Sequence, residues 1–182
     1  FDDCENPMQK HVLALNEKRD MALPLAPWMF GAAGVEHMEK YGTTPDHFAK
    51  IGEKNHRHSA NNPYAQFQDV YTLDEIKGSK VIYDKLPLTK LQCSPTSDGS
   101  GAAVIASEKF VEEHGLGDRA IEIVGQAMVT DMRSTFENNS AATLVGYDMS
   151  QEAARKVYDQ AGISAEDVQV IELHDCFSAT EL

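Results

Sequence analysis

Val168-Gln-Val-Ile-Glu-Leu-His174-Asp-Cys176-Phe-Ser-Ala-Thr-Glu-Leu182 is the stretch from which the fold of the whole chain is predicted. Its first part, Val168 to Leu173, is a short apolar run that predicts a buried strand. His174 and Cys176 stand at the end of that run. In α/β proteins the carboxyl ends of strands carry ligands and catalytic groups. A histidine and a cysteine there are therefore candidates for proton transfer on a reacting carbon or sulfur.

The composition is that of a globular protein, with 182 residues, 42% apolar residues and 25% charged residues. A net charge of −13 argues against a nucleic-acid surface, which needs a basic patch, but leaves room for an anionic coenzyme held by a few local cations. No apolar run is long enough for a membrane span. Cys4, Cys93 and Cys176 are too few for a disulfide framework and favour a reducing compartment.

Several helices are predicted from their start and stop residues. Thr44-Pro45-Asp46 and Thr72-Leu-Asp-Glu75 are N-terminal signatures, while Gly42 and Gly162 are typical helix stops. A helix that could start at residues 11–15 is expected to be broken at Pro24 and Pro27, and the next predicted helix starts at Val35. His56 to Pro63 is interpreted as a polar loop. The predicted helices cover residues 35–41, 44–55, 72 onward, 107–114 and 150–161.

Strands are predicted at residues 88–93, 102–106, 121–129 and 168–173, where β-branched and apolar residues cluster between turn signals. Residues 131–146 are interpreted as a loop. From Ile121 onward the order is strand, helix, strand. That order predicts one βαβ unit of a parallel sheet with a right-handed crossover.

Glu172-Leu-His-Asp-Cys-Phe-Ser178 resembles the catalytic strand-end motif of thiolases of the sterol carrier protein x type, where most other thiolases have Asn-Glu-Ala-Phe. The resemblance extends over essentially the whole chain, in several separate segments that occur in the same order. These segments are residues 29–31, 36–42, 47–52, 61–64, 66–69 and 93–99.

The resemblance implies an α/β, thiolase-like fold of two similar βαβαβαββ halves joined by a helical loop domain, incomplete in this chain. It assigns residues 1–86 to the loop domain, 87–118 to the end of the N-terminal half and 119–182 to the start of the C-terminal half. The family's nucleophilic cysteine is expected upstream of Phe1 and its Gly-His-Pro motif downstream of Leu182. We therefore interpret the chain as an internal fragment that is inactive alone.

The resemblance also implies an acyl-CoA thiolase of lipid metabolism, which performs thiolytic cleavage or Claisen condensation. Cys176 is then the acid and base that exchanges a proton with the carbon beside the thioester carbonyl. His174 is the donor that stabilises the developing oxyanion. From spacing alone, the same residues also fit a buried structural cysteine beside a capping histidine. No metal is expected, because neither His174-Asp-Cys176 nor the His56/His58 pair supplies enough ligands.

Coenzyme A enters as a thioester substrate, and no covalently bound cofactor is expected. By resemblance, Ser94 contacts the pantetheine arm, and Ser97 is a second hydroxyl of the same glycine-rich loop. Met29 and Phe30 are candidates for the acyl or pantetheine channel. The expected partners are acyl-CoA molecules and further copies of the chain, as a homodimer or higher homo-oligomer, without nucleic acid or a transmembrane segment. The expected location is peroxisomal in a eukaryote and otherwise cytoplasmic.

Two other functions compete with the thiolase reading. One is a thiolase-fold retro-aldolase of steroid side-chain degradation. Those relatives have a tyrosine at the place of His174, so the histidine favours thiolase. The other is a non-catalytic thiolase-like subunit that binds acyl-CoA. A cysteine at the family's nucleophile position distinguishes the thiolase from both alternatives.

Overall fold

The computed structural model describes residues 24–182, which form a mixed α/β structure that is mostly helical and has a small sheet. Cys4 lies outside the described residues. Across residues 24–182, no helix has both the length and the apolar character needed to cross a membrane. The helices are α1 (Leu25–Tyr41), α2 (Pro45–Ser59), α3 (Leu73–Gly78), α4 (Glu108–Glu113), α5 (Arg133–Glu137), α6 (Ala141–Leu144) and α7 (Tyr147–Ala161).

The sheet is an antiparallel pair of β1 (Val81–Tyr83) and β2 (Leu88–Thr89). The predicted extended piece at residues 88–93 is therefore only partly a strand, because a 3₁₀ turn at Lys90–Gln92 follows β2 directly. Two more 3₁₀ turns lie at Ala165–Asp167 and Ser178–Thr180.

Local sequence signals place several helix ends correctly. Gly42 follows α1 with φ of 71°, and Gly162 follows α7 with φ of 68°, the left-handed conformation that glycine adopts without steric cost. Thr72 begins α3 as predicted: the Glu75 amide donates to its hydroxyl over 3.3 Å, and the Thr72 amide donates to the Glu75 carboxylate over 2.8 Å. The two residues therefore form a reciprocal capping box.

The predicted helix start at Val35 and the predicted break at Pro27 are wrong, because α1 begins at Leu25 and contains Pro27. Pro24 is the N-cap and Pro27 lies in the first turn. The amides of a first helical turn have no intrahelical partner, so a proline loses nothing there. Further along α1, a Cβ added at Gly31 would overlap the Tyr83 ring. Glycine therefore allows α1 to pack closely against β1.

Within residues 24–182, an apolar cluster brings together α1 and the segment around Phe177. α1 packs against α6, the sheet and the turn at Ser178–Thr180, while α2 packs against α3 and the turn at Lys90–Gln92. Glu36 of α1 fixes α6, because its carboxylate accepts hydrogen bonds from the Ser140 hydroxyl and the Ala141 amide. The buried members of the cluster are Trp28, Ala33, Phe48, Tyr83, Leu86, Leu88, Ala141, Leu144 and Phe177.

Three helical predictions need correction. α2 continues to Ser59, through the first half of the predicted polar loop, since the chain meets no proline before Pro63. The predicted loop at residues 131–146 contains α5 and α6. The Ser140 hydroxyl caps α6 by accepting from the Thr143 amide over 3.1 Å. α7 begins at Tyr147, three residues before the predicted cap at Ser150.

The predicted strands at residues 102–106, 121–129 and 168–173 are not formed, and neither is the parallel βαβ unit. A strand needs a hydrogen-bonding neighbour, and these runs have no strand partner among residues 24–182. Most of their apolar side chains consequently lie in solvent, with Val104 98%, Ile121 91% and Val170 84% exposed. The predicted buried strand before His174 is thus an exposed, unpaired segment.

We expect residues 1–182, expressed by themselves, to aggregate and to bind a dye such as anilinonaphthalene sulfonate strongly. Three exposed apolar runs without a partner strand in the described part of the chain are a template for association with other chains. The measurement is dye fluorescence together with thermal unfolding of the purified span. A sharp two-state transition in a soluble monomer with no dye signal would contradict this expectation.

Candidate functional site

The segment that carries the sequence motif is held between α2 and the residues that follow β2. The Ser94 amide donates to the Cys176 carbonyl over 2.8 Å, and Cys93 forms an isolated antiparallel bridge with Phe177. The buried Ser178 hydroxyl donates to the side-chain oxygen of Gln92 over 3.0 Å. These contacts fix the backbone around Cys176 even though no regular strand precedes it.

Two adjoining cavities lie beside this segment. The larger, of about 620 Å³, has Cys176 in its wall and is called the Cys176 cavity. The smaller, of about 370 Å³, has Asp175 in its wall and is called the Asp175 cavity. Several residues line both cavities, which places the two spaces next to each other. The shared residues are His56, Phe67, Leu91, Cys93, Ser94 and Pro95.

Cys176 is half-buried, and this burial raises the pKa of its thiol. The charge of the neighbouring Asp175 raises the pKa further, while the Thr180 hydroxyl, 3.9 Å from Sγ, lowers it. The group is therefore a neutral thiol at neutral pH. A thiol of raised pKa is a weaker acid, and its thiolate is a correspondingly stronger base.

Cys93 is the second thiol of the Cys176 cavity, and burial together with the nearby Cys176 raises its pKa from 9.0 to about 11. The thiolate is the form that reacts with alkylating agents. A two-unit rise leaves about a hundredth of the ordinary thiolate fraction at pH 8. We expect iodoacetamide to modify Cys93 at least about tenfold more slowly than Cys176, as followed by mass spectrometry of the two peptides. Equal rates would contradict the buried placement of Cys93.

The other predicted site residues are distributed unevenly around the cavities. Ser94 lines both of them, whereas the exposed Ser97 lines neither, and Thr96 of the same loop lines the Cys176 cavity. The structure thus brings Ser94 and Cys176 to one cavity. His174, two residues before Cys176, is exposed and lies outside both cavities.

Met29 and Phe30 of α1 are half-buried against the apolar cluster, and neither lines a cavity. The Phe30 ring stacks on Phe177, with 5.0 Å between the ring centroids and an angle of 28° between the ring planes. Phe30 therefore supports the residue that follows Cys176.

His56 is a cavity residue that the sequence interpretation missed, because it was assigned to a solvated loop. Its Nε2 lies 3.1 Å from the Leu91 carbonyl oxygen, and Tyr71 packs edge-on against the ring with 4.8 Å between centroids. Gly52, Asn55, His56 and Ser59 all line the Asp175 cavity from one face of α2. Their spacing of i, i+3, i+4 and i+7 is the signal that would have identified this face.

Asp175 lies between the two predicted catalytic residues and is also half-buried. Burial raises the pKa of its carboxyl, and the neighbouring Glu181 raises it further. The side-chain amide of Asn55 donates to it over 2.5 Å. Over residues 24–182, no three His, Cys, Asp or Glu side chains are grouped so that they would hold a metal ion.

No family model matches this chain. Its relatives nevertheless define a class. It is 37% identical over 146 residues, 80% of its length, to the benzoylsuccinyl-CoA thiolase subunit BbsB of Thauera aromatica, and the match covers 36% of that protein. The chain is thus related to thiolases.

The identity is higher with a more particular set of proteins. The chain is 60% identical over 183 residues to sterol carrier protein 2 of Rattus norvegicus, and 45% identical over 184 residues to non-specific lipid-transfer protein-like 2 of Caenorhabditis elegans. Both matches cover 100% of the chain, but only 33% and 44% of the respective relatives. The chain therefore spans about a third of the length of the sterol carrier protein. By sequence the chain is related to sterol carrier protein 2 and, at lower identity, to thiolases. The predicted resemblance is therefore confirmed.

Proposed function

We propose that the protein containing these residues is an acyl-CoA thiolase, which transfers acyl groups between coenzyme A and the carbon next to a thioester carbonyl. The observation that supports it best is the position of Cys176. Its half-buried thiol lies in the wall of a 620 Å³ cavity, and Ser94 lines the same cavity. The thiolase and sterol carrier protein relatives support the same class of function.

In the proposed condensation, the Cys176 thiolate removes a proton from the methyl carbon of an acetyl thioester. The resulting carbanion attacks the carbonyl of an acyl group carried as a thioester on a second cysteine. A carbon–carbon bond forms and the carbon–sulfur bond to that cysteine breaks, leaving it as a thiolate. In thiolytic cleavage the steps reverse, and the Cys176 thiol returns its proton to the departing carbanion.

The second cysteine is a nucleophile that we place, by resemblance, outside residues 1–182. Cys93 does not suit the role, because its pKa of about 11 leaves almost no thiolate near neutral pH. The neighbours of Cys4 are Asp2, Asp3 and Glu5, and their negative charge disfavours a thiolate there.

We propose that the Cys176 cavity receives the pantetheine arm and the thioester. Its wall combines apolar side chains, including Phe67, Ile82 and Leu91, with the hydroxyls of Ser94 and Thr96. An apolar cavity with a few convergent polar groups suits a chain of methylene and amide groups. We expect the hydroxyls to hydrogen-bond its amides and the apolar walls to exclude water from the carbanion.

Three further features belong to the proposal for the full-length protein. The chain is taken to form parts of a thiolase-like fold, with residues 1–86 in the loop domain and the remaining residues shared between the two halves. The protein is taken to assemble as a homo-oligomer. In a eukaryotic cell we propose a peroxisomal location.

The test is thiolysis by the full-length protein, followed as the loss of acetoacetyl-CoA after addition of coenzyme A. We expect formation of acetyl-CoA at two molecules per acetoacetyl-CoA consumed. Binding of acyl-CoA without acyl transfer would instead indicate a non-catalytic subunit. Cleavage of a steroid side-chain aldol thioester without thiolysis would indicate a retro-aldolase.

A further inference from the structure

Two adjacent residues of α2 reach the two carboxylates on either side of Cys176. The side-chain nitrogen of Asn55 donates to Asp175 over 2.5 Å and to Glu181 over 3.1 Å. The Lys54 ammonium pairs with the other carboxylate oxygen of Glu181. A primary amide carries two N–H groups. Asn55 thus uses its one nitrogen to bridge both acids.

This bridge compensates an unfavourable arrangement of charge. Asp175 is half-buried, so its anion is poorly solvated, and the charge of Glu181 raises its pKa further. Two carboxylates side by side repel each other unless donors lie between them. The Asn55 amide and the Lys54 ammonium are such donors.

Other groups of the same segment are attached to different residues. The Cys176 carbonyl accepts from the Ser94 amide over 2.8 Å, and the Ser178 hydroxyl donates to Gln92 over 3.0 Å. α2 itself lies close to these residues, since a Cβ added at Gly52 would come within 3.4 Å of the Leu91 carbonyl oxygen. The segment around Cys176 therefore has two sets of attachments, and only the set at Asp175 and Glu181 depends on side-chain charge.

We propose that Asn55, assisted by Lys54, is a positioning residue that sets the location and burial of the Cys176 thiol by bridging Asp175 and Glu181. The proposal rests on the role of Cys176 given under Proposed function. Its consequence is specific. Loss of the bridge releases one side of the segment, so the thiol becomes more exposed and less well aligned with the substrate carbon.

The experiment uses Asn55→Ala in the full-length protein with two independent measurements. The first is the alkylation rate of Cys176 by iodoacetamide at pH 8, followed by mass spectrometry of its peptide, which needs no thiolase activity. We expect a several-fold increase, because burial is the main cause of the raised pKa. The second is thiolysis, where we expect kcat to fall about tenfold or more with KM within about twofold, since misplacement of a reacting group by about 1 Å costs up to about a hundredfold.

Two variants that exchange Asn and Asp side chains distinguish a positioning role of Asn55 from a general effect on stability. Asn55→Asp places a third carboxylate beside Asp175 and Glu181. Its increase in Cys176 alkylation rate and its loss of kcat should therefore both exceed those of Asn55→Ala. Asn55→Asp combined with Asp175→Asn recreates one amide–carboxylate hydrogen bond in the reverse direction. Because Glu181 still lacks the donor that Asn55 supplied, we expect this double variant to recover part of the change in alkylation rate and part of the loss in kcat. Asn61→Ala, at an exposed asparagine just beyond α2, is the matched control and should behave as wild type.

The two measurements distinguish failure of the Asn55 proposal from failure of the proposed thiolase function. If the wild-type protein has no thiolase activity, the alkylation rate of Cys176 still tests the role of Asn55. An unchanged Cys176 alkylation rate in Asn55→Ala, measured well below the unfolding temperature, overturns the proposal. A lower unfolding temperature in every Asn55 variant, with no recovery of alkylation rate in the double variant, would also overturn it and leave Asn55 a purely structural residue.

Discussion

Replacing Cys176 by alanine is expected to reduce both thiolytic cleavage and condensation by about 10²–10⁴-fold in the full-length protein, which is the usual contribution of a positioned acid or base. One group must accept a proton in condensation and return it in cleavage. Cys176 has a suitable environment, because its thiol is half-buried in a cavity wall and its pKa is raised by that burial. The measurement is kcat in both directions, with acetoacetyl-CoA and with acetyl-CoA.

Cys176→Ser makes the test sharper, since it keeps the size of the side chain and a hydrogen-bond donor but replaces the thiol with a hydroxyl that hardly ionises. It should be nearly as inactive as the alanine variant. Cys4→Ala removes a thiol from a part of the chain with no predicted site and should keep full activity. Wild-type turnover in either Cys176 variant would remove this residue from the mechanism.

The local part of this structure could be predicted from the sequence, and the reason is physical. Helix ends depend on a few neighbouring residues, so Gly42, Gly162 and the Thr72–Glu75 capping box are identifiable without knowledge of the fold. Hydrogen bonds within α2 also extend past the point where the sequence becomes polar. Polarity alone marks an exposed face of a helix as readily as a loop.

The strand predictions failed because strand pairing is not local. The run at residues 121–129 has a strong β pattern, yet a pattern supplies only one of the two strands that a ladder requires. Within the described residues 24–182 a strand partner is absent, and Ile121 and Met128 are about 90% exposed. The pattern therefore indicates a preference for β-strand, but residues 24–182 supply no partner strand for it.

The candidate site was predicted in part for a related reason. Ser94 and Cys176 are 82 positions apart, and motifs that resemble those of thiolases identify both of them without any knowledge of contacts between their segments. The backbone hydrogen bond between Ser94 and Cys176 now joins them. His56 and Asn55 escaped notice, because their place at the cavities depends on how α2 packs against residues 91–93. Packing of distant segments is not encoded in a local pattern.

The absence of strand pairing at residues 168–173, among the residues that the structure describes, also explains why His174 and Cys176 lie in different surroundings. In a strand, residues at i and i+2 face the same side, and a strand end would direct both side chains to one place. The segment before Cys176 is unpaired here, and His174 is exposed while Cys176 lines a cavity. A joint role for the two residues therefore requires that residues 168–173 become ordered as a strand in the full-length protein.

Replacing His174 by alanine tests that requirement. We expect kcat for thiolysis to fall about 10²–10³-fold, which is the usual effect of losing one oxyanion donor, while KM changes much less. The reason is that a hydrogen bond to the thioester oxygen strengthens as negative charge develops, so its loss raises the barrier more than it weakens substrate binding.

His58→Ala is the matched control, because His58 is an exposed histidine of α2 that lines neither cavity, and it should retain full turnover. A change confined to KM in His174→Ala would make His174 a binding residue. Unchanged kcat and KM would show that His174 stays at the surface, as it does among residues 24–182. The assignment of an oxyanion donor would then move to a residue that lines the same cavity as Cys176. His56 and Ser94, which both line it, would be the first side chains to replace.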